Sequence, residues 1–178
     1  MKLHNIRLKL NESAKEIEKA AKQTEENPTE DQIESGNYKK GKFNLFGMTI
    51  SLENPKGSKR SGVDADGNKW ETTMPHHYGY IKGTKGRDKD HLDVFIGPDA
   101  ENEDLDIFVI DQLNKDSKFD EHKIMIGFKN KSDAKKGYLA AYEDGWDGLG
   151  AISKMNLEEF KEWTSGDTTK PVDDSVKV

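Results

Sequence analysis

The spacing of apolar residues changes along this chain, and the changes divide it. Over residues 1–34 apolar positions are sparse. Ala14, Ile17 and the Ala20-Ala21 pair make a thin stripe on a charged segment, the spacing of one helix face. Ser13-Ala14-Lys15-Glu16 reads as a capping box, and Asn27-Pro28 as the end of that helix. Thr29 to Gln32 starts one more turn, which Ser35-Gly36 stops. A helix with so little apolar surface needs a partner to be stable. Residues 1–34 are therefore expected to be a charged helical extension or linker.

From Phe43 the period becomes two. Phe43 and Leu45 alternate, and after Gly47 the pattern resumes at Met48, Ile50 and Leu52, as it does around a bulge or tight turn. Residues 58–63 and 69–73 flank Asp64-Ala65-Asp66-Gly67-Asn68, and Asp-Gly between extended segments predicts a hairpin. Further strands are expected at 92–96, 106–110 and 122–128. Helices are expected at 133–144, with Ser132 as N-cap and Gly145 as stop, and at 157–163, with Asn156 as N-cap and Glu159 three residues on. Residues 165–178 read as a flexible tail. Strands first and helices last predict an α+β domain over residues 35–164.

Composition narrows the picture. The 178 residues are 32% hydrophobic and 35% charged, against about 45–50% (counting Gly) and about 25% in ordinary domains, so the core is small. A net charge of −6 argues against duplex nucleic acid as a partner, which calls for a basic face. There is no cysteine, which excludes disulfides and thiolate zinc sites. No apolar run approaches the ~20 residues of a membrane span, and Met1-Lys2-Leu3-His4 does not open a secretory signal. The expected setting is soluble and cytoplasmic, without a membrane partner; homo-oligomerisation is left open.

The chemistry concentrates between Tyr78 and Asp93. Asp88, Asp90 and Asp93 fall within six residues, after a basic, glycine-bearing loop of Lys82, Gly83, Lys85, Gly86 and Arg87. Three carboxylates this close repel one another unless a cation lies between them, and hard oxygen donors suit Mg²⁺ or Ca²⁺. An EF-hand is excluded, because its sixth position needs Gly and here it is Asp93. The basic loop suits an anion such as phosphate. His76 and His77 do not make a shared ion site, since strand neighbours point to opposite faces. Gly145-Trp146-Asp147-Gly148-Leu149-Gly150 lacks the Lys-Ser/Thr of a phosphate loop and reads as a structural turn with Trp146 packed on the body of the domain. Tyr38-Lys39-Lys40 reads as surface, and His122 could face solvent.

Tyr78-Gly79-Tyr80-Ile81, followed by Asp88-Lys89-Asp90-His91-Leu92-Asp93-Val94, resembles the signature of soluble family I inorganic pyrophosphatases. There it reads Tyr-Gly-Tyr-Ile…Asp-Gly-Asp-Pro-x-Asp-Val at the same spacing. The likeness is closer still to the pyrophosphatase-like domain of phage and mobile-element polyvalent proteins, and it extends over roughly residues 35–164. It implies a distorted five-stranded OB-like β-barrel with flanking helices. It also implies Mg²⁺-dependent hydrolysis of pyrophosphate using two or more ions. By the same resemblance Asp88 and Asp93 are metal ligands, Asp90 is the general base, and Tyr78 orients phosphate or water. A later Asp-x₄-Asp-x-Lys pattern is met by Asp116, Glu121 and Lys123, with Asp120 or Asp111 as alternatives for the acids. Glu53 resembles the family's first-strand glutamate.

The chain departs from that pattern in places. Lys89 stands where the family has Gly, and His91 where it has Pro. Lys56, Lys59 and Arg60 share the place of one phosphate-binding lysine, Lys69 is nearest to an expected arginine, and Tyr142 is followed by Glu143 rather than Lys. Two further readings therefore stand beside pyrophosphate hydrolysis. One is hydrolysis of another phosphoanhydride such as a nucleotide. The other is a non-catalytic metal- or partner-binding accessory module of a mobile element.

Overall fold

A computed structural model describes the backbone from Lys2 to Val178 and the side chains from Glu12 onward. The part of the expected extension before Glu12 lies outside the residues with described side chains. The alternating segment after residue 41 forms β1 (Lys42–Leu45) and β2 (Met48–Asn54), joined at Phe46-Gly47. Both turn residues have positive φ, 53° and 84°, the primed turn geometry that suits strand twist. β3 (Lys59–Val63) and β4 (Lys69–Thr73) close around the Asp-Gly turn as a separate hairpin.

β5 (His77–Ile81), β6 (Leu92–Ile96), β7 (Ile107–Leu113), β8 (Phe119–Ile126) and β9 (Leu149–Met155) join β1 and β2 in a seven-stranded sheet. Its order is β1-β2-β5-β6-β8-β7-β9, with β6 and β8 parallel and every other pair antiparallel. The expected five-stranded OB-like barrel is corrected here, while the mixed α+β class holds. Pairing runs from β1 to β9 and does not return, so the sheet is open. β9, whose first two residues fall in the stretch read as a turn, adds to β7 at the edge of the sheet.

Alternation along the strands gives the sheet two faces. On one, Ile50, Leu52, Ile81, Leu92, Val94, Val109, Ile124 and Ile126 form an apolar core. α1 (Lys2–Gln23) adds Ile17 and Ala20 to it, and α4 (Leu157–Thr164) adds Phe160. The thin stripe on α1 thus finds its partner within the chain. Thr24 fastens the helix end: its hydroxyl donates to the Ala20 carbonyl and accepts from the Gly41 N–H, both at 2.9 Å. Ser13 lies inside α1, so its capping-box pattern marks no helix start. α2 (Glu30–Ser35) does begin at a capping box, on Thr29, and ends at left-handed Gly36.

On the other face Tyr78, Phe95, Phe108, Ile110 and Met125 pack with Ala134 and Tyr138 of α3 (Lys131–Leu139). α3 starts at Asn130 rather than Ser132, because the Asn130 side chain reaches the Asp133 N–H at 2.8 Å; it ends by Ala140, short of Gly145. α4 begins at Asn156 with Glu159 completing the capping box.

Residues 165–178 contain no helix or strand but are tied at several points. The N–H groups of Val172 and Asp173 donate to the Asp111 carboxylate at 3.0 and 2.9 Å. Phe119 N–H donates to the Lys177 carbonyl at 2.7 Å, and the Thr168 hydroxyl donates to the Lys85 carbonyl. Among the described residues no helix is long and apolar enough to cross a membrane.

Candidate active site

Sheet register assembles the charged residues. Ser51, Tyr80, Asp93, Lys123 and Ile110 lie in one row across β2, β5, β6, β8 and β7, on the face that carries α3. Asp93 and Lys123 are direct neighbours on parallel strands. Lys123 Nζ lies 2.6 Å from Asp93 Oδ2 and 2.8 Å from Glu121 Oε1. The Tyr78 hydroxyl donates to Asp93 Oδ2 at 2.5 Å and accepts from Lys123 Nζ at 2.9 Å. The glycine of Tyr78-Gly79-Tyr80 has a steric reason, since a Cβ there would stand 2.0 Å from the Ser51 carbonyl oxygen. Only Gly lets β5 approach β2 this closely.

Two more groups complete the cluster. Arg60, on the β3–β4 hairpin, places its guanidinium 4.5 Å over the Tyr78 ring and 5.1 Å from the Trp70 ring, with one nitrogen 3.4 Å from the Tyr78 hydroxyl. Glu53 is the extra residue where the β2–β5 register shifts between Leu52 and Asn54, a bulge of the kind that re-aims a side chain beside a site.

Charge in this cluster is unevenly balanced. Burial works to raise the Asp93 carboxyl, but the Lys123 charge and the hydrogen bonds from Lys123 and Tyr78 outweigh it and hold Asp93 below the usual carboxylate range. Burial works to lower Lys123, yet Asp93, Tyr78, Tyr142 and Glu121 raise it well above a normal lysine. Both are therefore ionised near neutral pH. Tyr78 is pushed up, first by burial and then by Asp93, and stays a hydroxyl donor. Glu53 is raised by burial and by Asp93; Glu121 is raised chiefly by burial. These two carboxyls have less positive charge around them than their burial demands.

The other sequence candidates fall outside this cluster. Asp88 and Asp90 are exposed on the loop before β6, where the Asp90 N–H donates to Asp88 Oδ1 at 3.0 Å. Lys89 between them has a left-handed φ of 69°, the conformation that the family's Gly would take without strain. Lys59 pairs with Glu71 and Lys69 with Glu30, all four exposed. Lys56 is exposed. Asp116 sits exposed in the β7–β8 turn, and Asp120 is exposed on the strand position next to Glu121, where alternation turns it away. Asp111 and His122 are buried on the opposite side of the sheet from Lys123; His122 Nε2 lies 3.1 Å from Asp111 Oδ1 without hydrogen-bond alignment. The orientation left open for His122 is inward: Phe119 and Trp163 enclose its ring. Tyr142 lies beside the cluster, its hydroxyl donating to Gln112 Oε1 at 2.9 Å.

Sequence reading passed over Gln112 and Tyr138. Tyr138 also donates to Gln112 Oε1, at 2.6 Å, and Gln112 Nε2 reaches Glu121 Oε1 at 3.4 Å. The available signal was Asp111-Gln112 itself, two polar residues interrupting the apolar run Ile107-Phe108-Val109-Ile110. Polar residues in a buried strand have partners.

The family model for inorganic pyrophosphatase matches residues 30–165. The chain belongs to the inorganic pyrophosphatase family. A search of curated proteins returns no match.

Among the described residues, no three His, Asp or Glu side chains come close enough together to hold a metal ion. The donor chemistry nevertheless suits a hard divalent cation. Glu53 and Glu121 are raised carboxyls beside ionised Asp93, and added positive charge would relieve both.

Proposed function

We propose that this protein hydrolyses inorganic pyrophosphate to two phosphates in a Mg²⁺-dependent reaction. The observation that carries this reading is the buried Tyr78–Asp93–Lys123–Glu121 network with Arg60 above it, in a chain of the pyrophosphatase family. Pyrophosphate repels anionic nucleophiles, so a site for it needs fixed cations and a proton acceptor within reach of the attacking water. Lys123 and Arg60 supply fixed positive charge toward the departing phosphate. The Tyr78 hydroxyl orients a phosphate oxygen or the attacking water. Asp90 accepts the water's proton. Asp88, Asp93, Glu53 and Glu121 are the donors for Mg²⁺, which when bound shields the substrate's charge and makes a bound water more acidic.

Phosphate release from pyrophosphate tests the reading. Turnover with Mg²⁺, none with EDTA, and loss in Asp90→Asn and Asp93→Asn are the expected results. A wild-type protein that releases no phosphate would overturn it.

One observation favours a second substrate class. Trp70 is 37% exposed beside Arg60, a flat aromatic surface at the edge of the cluster on which a nucleobase could stack. Nucleoside triphosphates hydrolysed faster than pyrophosphate, with that preference lost in Trp70→Ala, would decide for that class.

A further inference from the structure

A directed chain of hydrogen bonds runs from the Gly-Trp-Asp-Gly-Leu-Gly turn into the charged cluster. The Trp146 indole N–H can only donate, and it donates to the Tyr138 hydroxyl oxygen at 3.0 Å. Tyr138 then has its proton free for Gln112 Oε1 at 2.6 Å. Tyr142, stacked on Trp146 with ring centroids 4.4 Å apart, gives its proton to the same oxygen at 2.9 Å. An amide whose oxygen is fixed by two donors has its NH₂ orientation fixed too. Gln112 Nε2 therefore faces Glu121 Oε1 at 3.4 Å, the oxygen that also meets Lys123 Nζ. Gln112 and Glu121 are direct cross-strand partners on β7 and β8, so register holds them side by side. Trp146 is seated as tightly: a Cβ on Gly148 would stand 2.4 Å from the indole.

We propose that Gln112 is a positioning residue, turning the Glu121 carboxylate toward Lys123 and holding it there under the control of Tyr138, Tyr142 and Trp146. Every donor in the chain points toward the cluster, and the last acceptor is a carboxylate that cannot donate back. The turn after α3 thereby sets the rotamer of a charged group at the site. A buried amide needs partners for stability alone; the added content is that the far partner is Glu121, so the effect is read at the site. Its consequence for turnover rests on the proposed hydrolysis, whereas the orientation of Glu121 does not.

Gln112→Glu is the sharpest test, because it keeps an acceptor for both tyrosines and replaces only the N–H that faces Glu121. Two readouts are taken. In a crystal structure of the variant, the Glu121 carboxylate is expected to swing away from residue 112 and lose its 2.8 Å contact with Lys123. In the phosphate-release assay, kcat is expected to fall about 10–100-fold, the usual effect of removing a group that orients a ligand, with KM moving much less. Should Gln112→Glu fail to fold, Tyr138→Phe removes one donor with almost no change of volume, and the same displacement and a smaller loss are expected. A Glu121 that stays on Lys123 in a folded variant overturns the proposal, as does unchanged kcat. If the wild type releases no phosphate, the proposed hydrolysis fails while the crystal structure still decides the role of Gln112.

Discussion

Asp93 and Asp90 stand three residues apart and live in different physical worlds. Asp93 is rooted in β6, mostly buried, and held by Lys123 and Tyr78. Asp90 and its neighbour Asp88 are exposed on a loop and form no ion pair among the described residues. The strand-borne half of the proposed site is held by contacts between neighbouring strands. The loop-borne half proposed for it has no such contacts, so its carboxylates are open to solvent. Stability and chemistry should therefore separate on substitution, and that separation can be tested.

The largest effect is expected at Lys123. Lys123→Met leaves Asp93 and Glu121 without their shared counter-ion, and breaking a buried pair in this way costs about 3–5 kcal/mol. Because both carboxylates keep some solvent contact, urea melts should show the lower end of that range, together with loss of phosphate release. An unchanged midpoint would mean that charge does not hold the strand half. Next comes the contrast itself. Asp90→Asn is expected to leave the melt unchanged while lowering phosphate release by about 10²–10⁴-fold, the scale of a general base. Asp93→Asn should lower both, and equal behaviour of the two variants would erase the distinction.

A smaller effect is expected from pH at the start of β5. His76 and His77 are both held below the ordinary 6.5, first by burial and then by the Lys56 charge. In addition, His77 Nδ1 accepts the Lys56 N–H at 2.8 Å, a bond that protonation there would break. The unfolded chain takes up these protons first. Their contribution to stability is full above pH 6.5 and is lost as pH falls from there through the lower folded values. Thermal melts from pH 7.5 down to 5 should show a falling midpoint, and a double His76→Gln, His77→Gln variant should flatten the slope. The smallest effect belongs to Lys89→Gly. It removes a left-handed penalty of roughly 1–2 kcal/mol but adds glycine's chain entropy of roughly 0.5–1 kcal/mol, for a slight net gain in melts. A clear loss would show that the Lys89 side chain itself anchors the loop.

Local signals were legible in the sequence wherever one short segment carried the whole reason. The run 92–96 coincides with β6, and Asn156 with Glu159 caps α4 as read. β9 was hidden because it is an edge strand of mixed exposure with glycine at its second position, so neither alternation nor an apolar run announces it. At the proposed site, Asp93 was reachable from the clustered aspartates and Tyr78, Glu121 and Lys123 through the family resemblance, and the sheet brings the four together. Spacing could not choose between Asp116, Asp120 and Asp111 as further acids. Which side of β8 an acid faces, and where the turn falls, depend on strand register. The polar break at Asp111-Gln112 marked Gln112, but not its role: that lies in being opposite Glu121, a fact about pairing between strands rather than order along one.

The C-terminal segment gives the fold a reporter. Residues 165–178 touch Asp111 on β7, Phe119 on β8 and Lys85 in the loop that carries Asp88 and Asp90. The last residue, Val178, is 68% exposed. A fluorophore attached there would sit beyond a strap fastened to the acidic loop at Lys85 and again at Asp111 and Phe119. It could register a shift of that loop on ligand binding from outside, with every residue of the site left as it is.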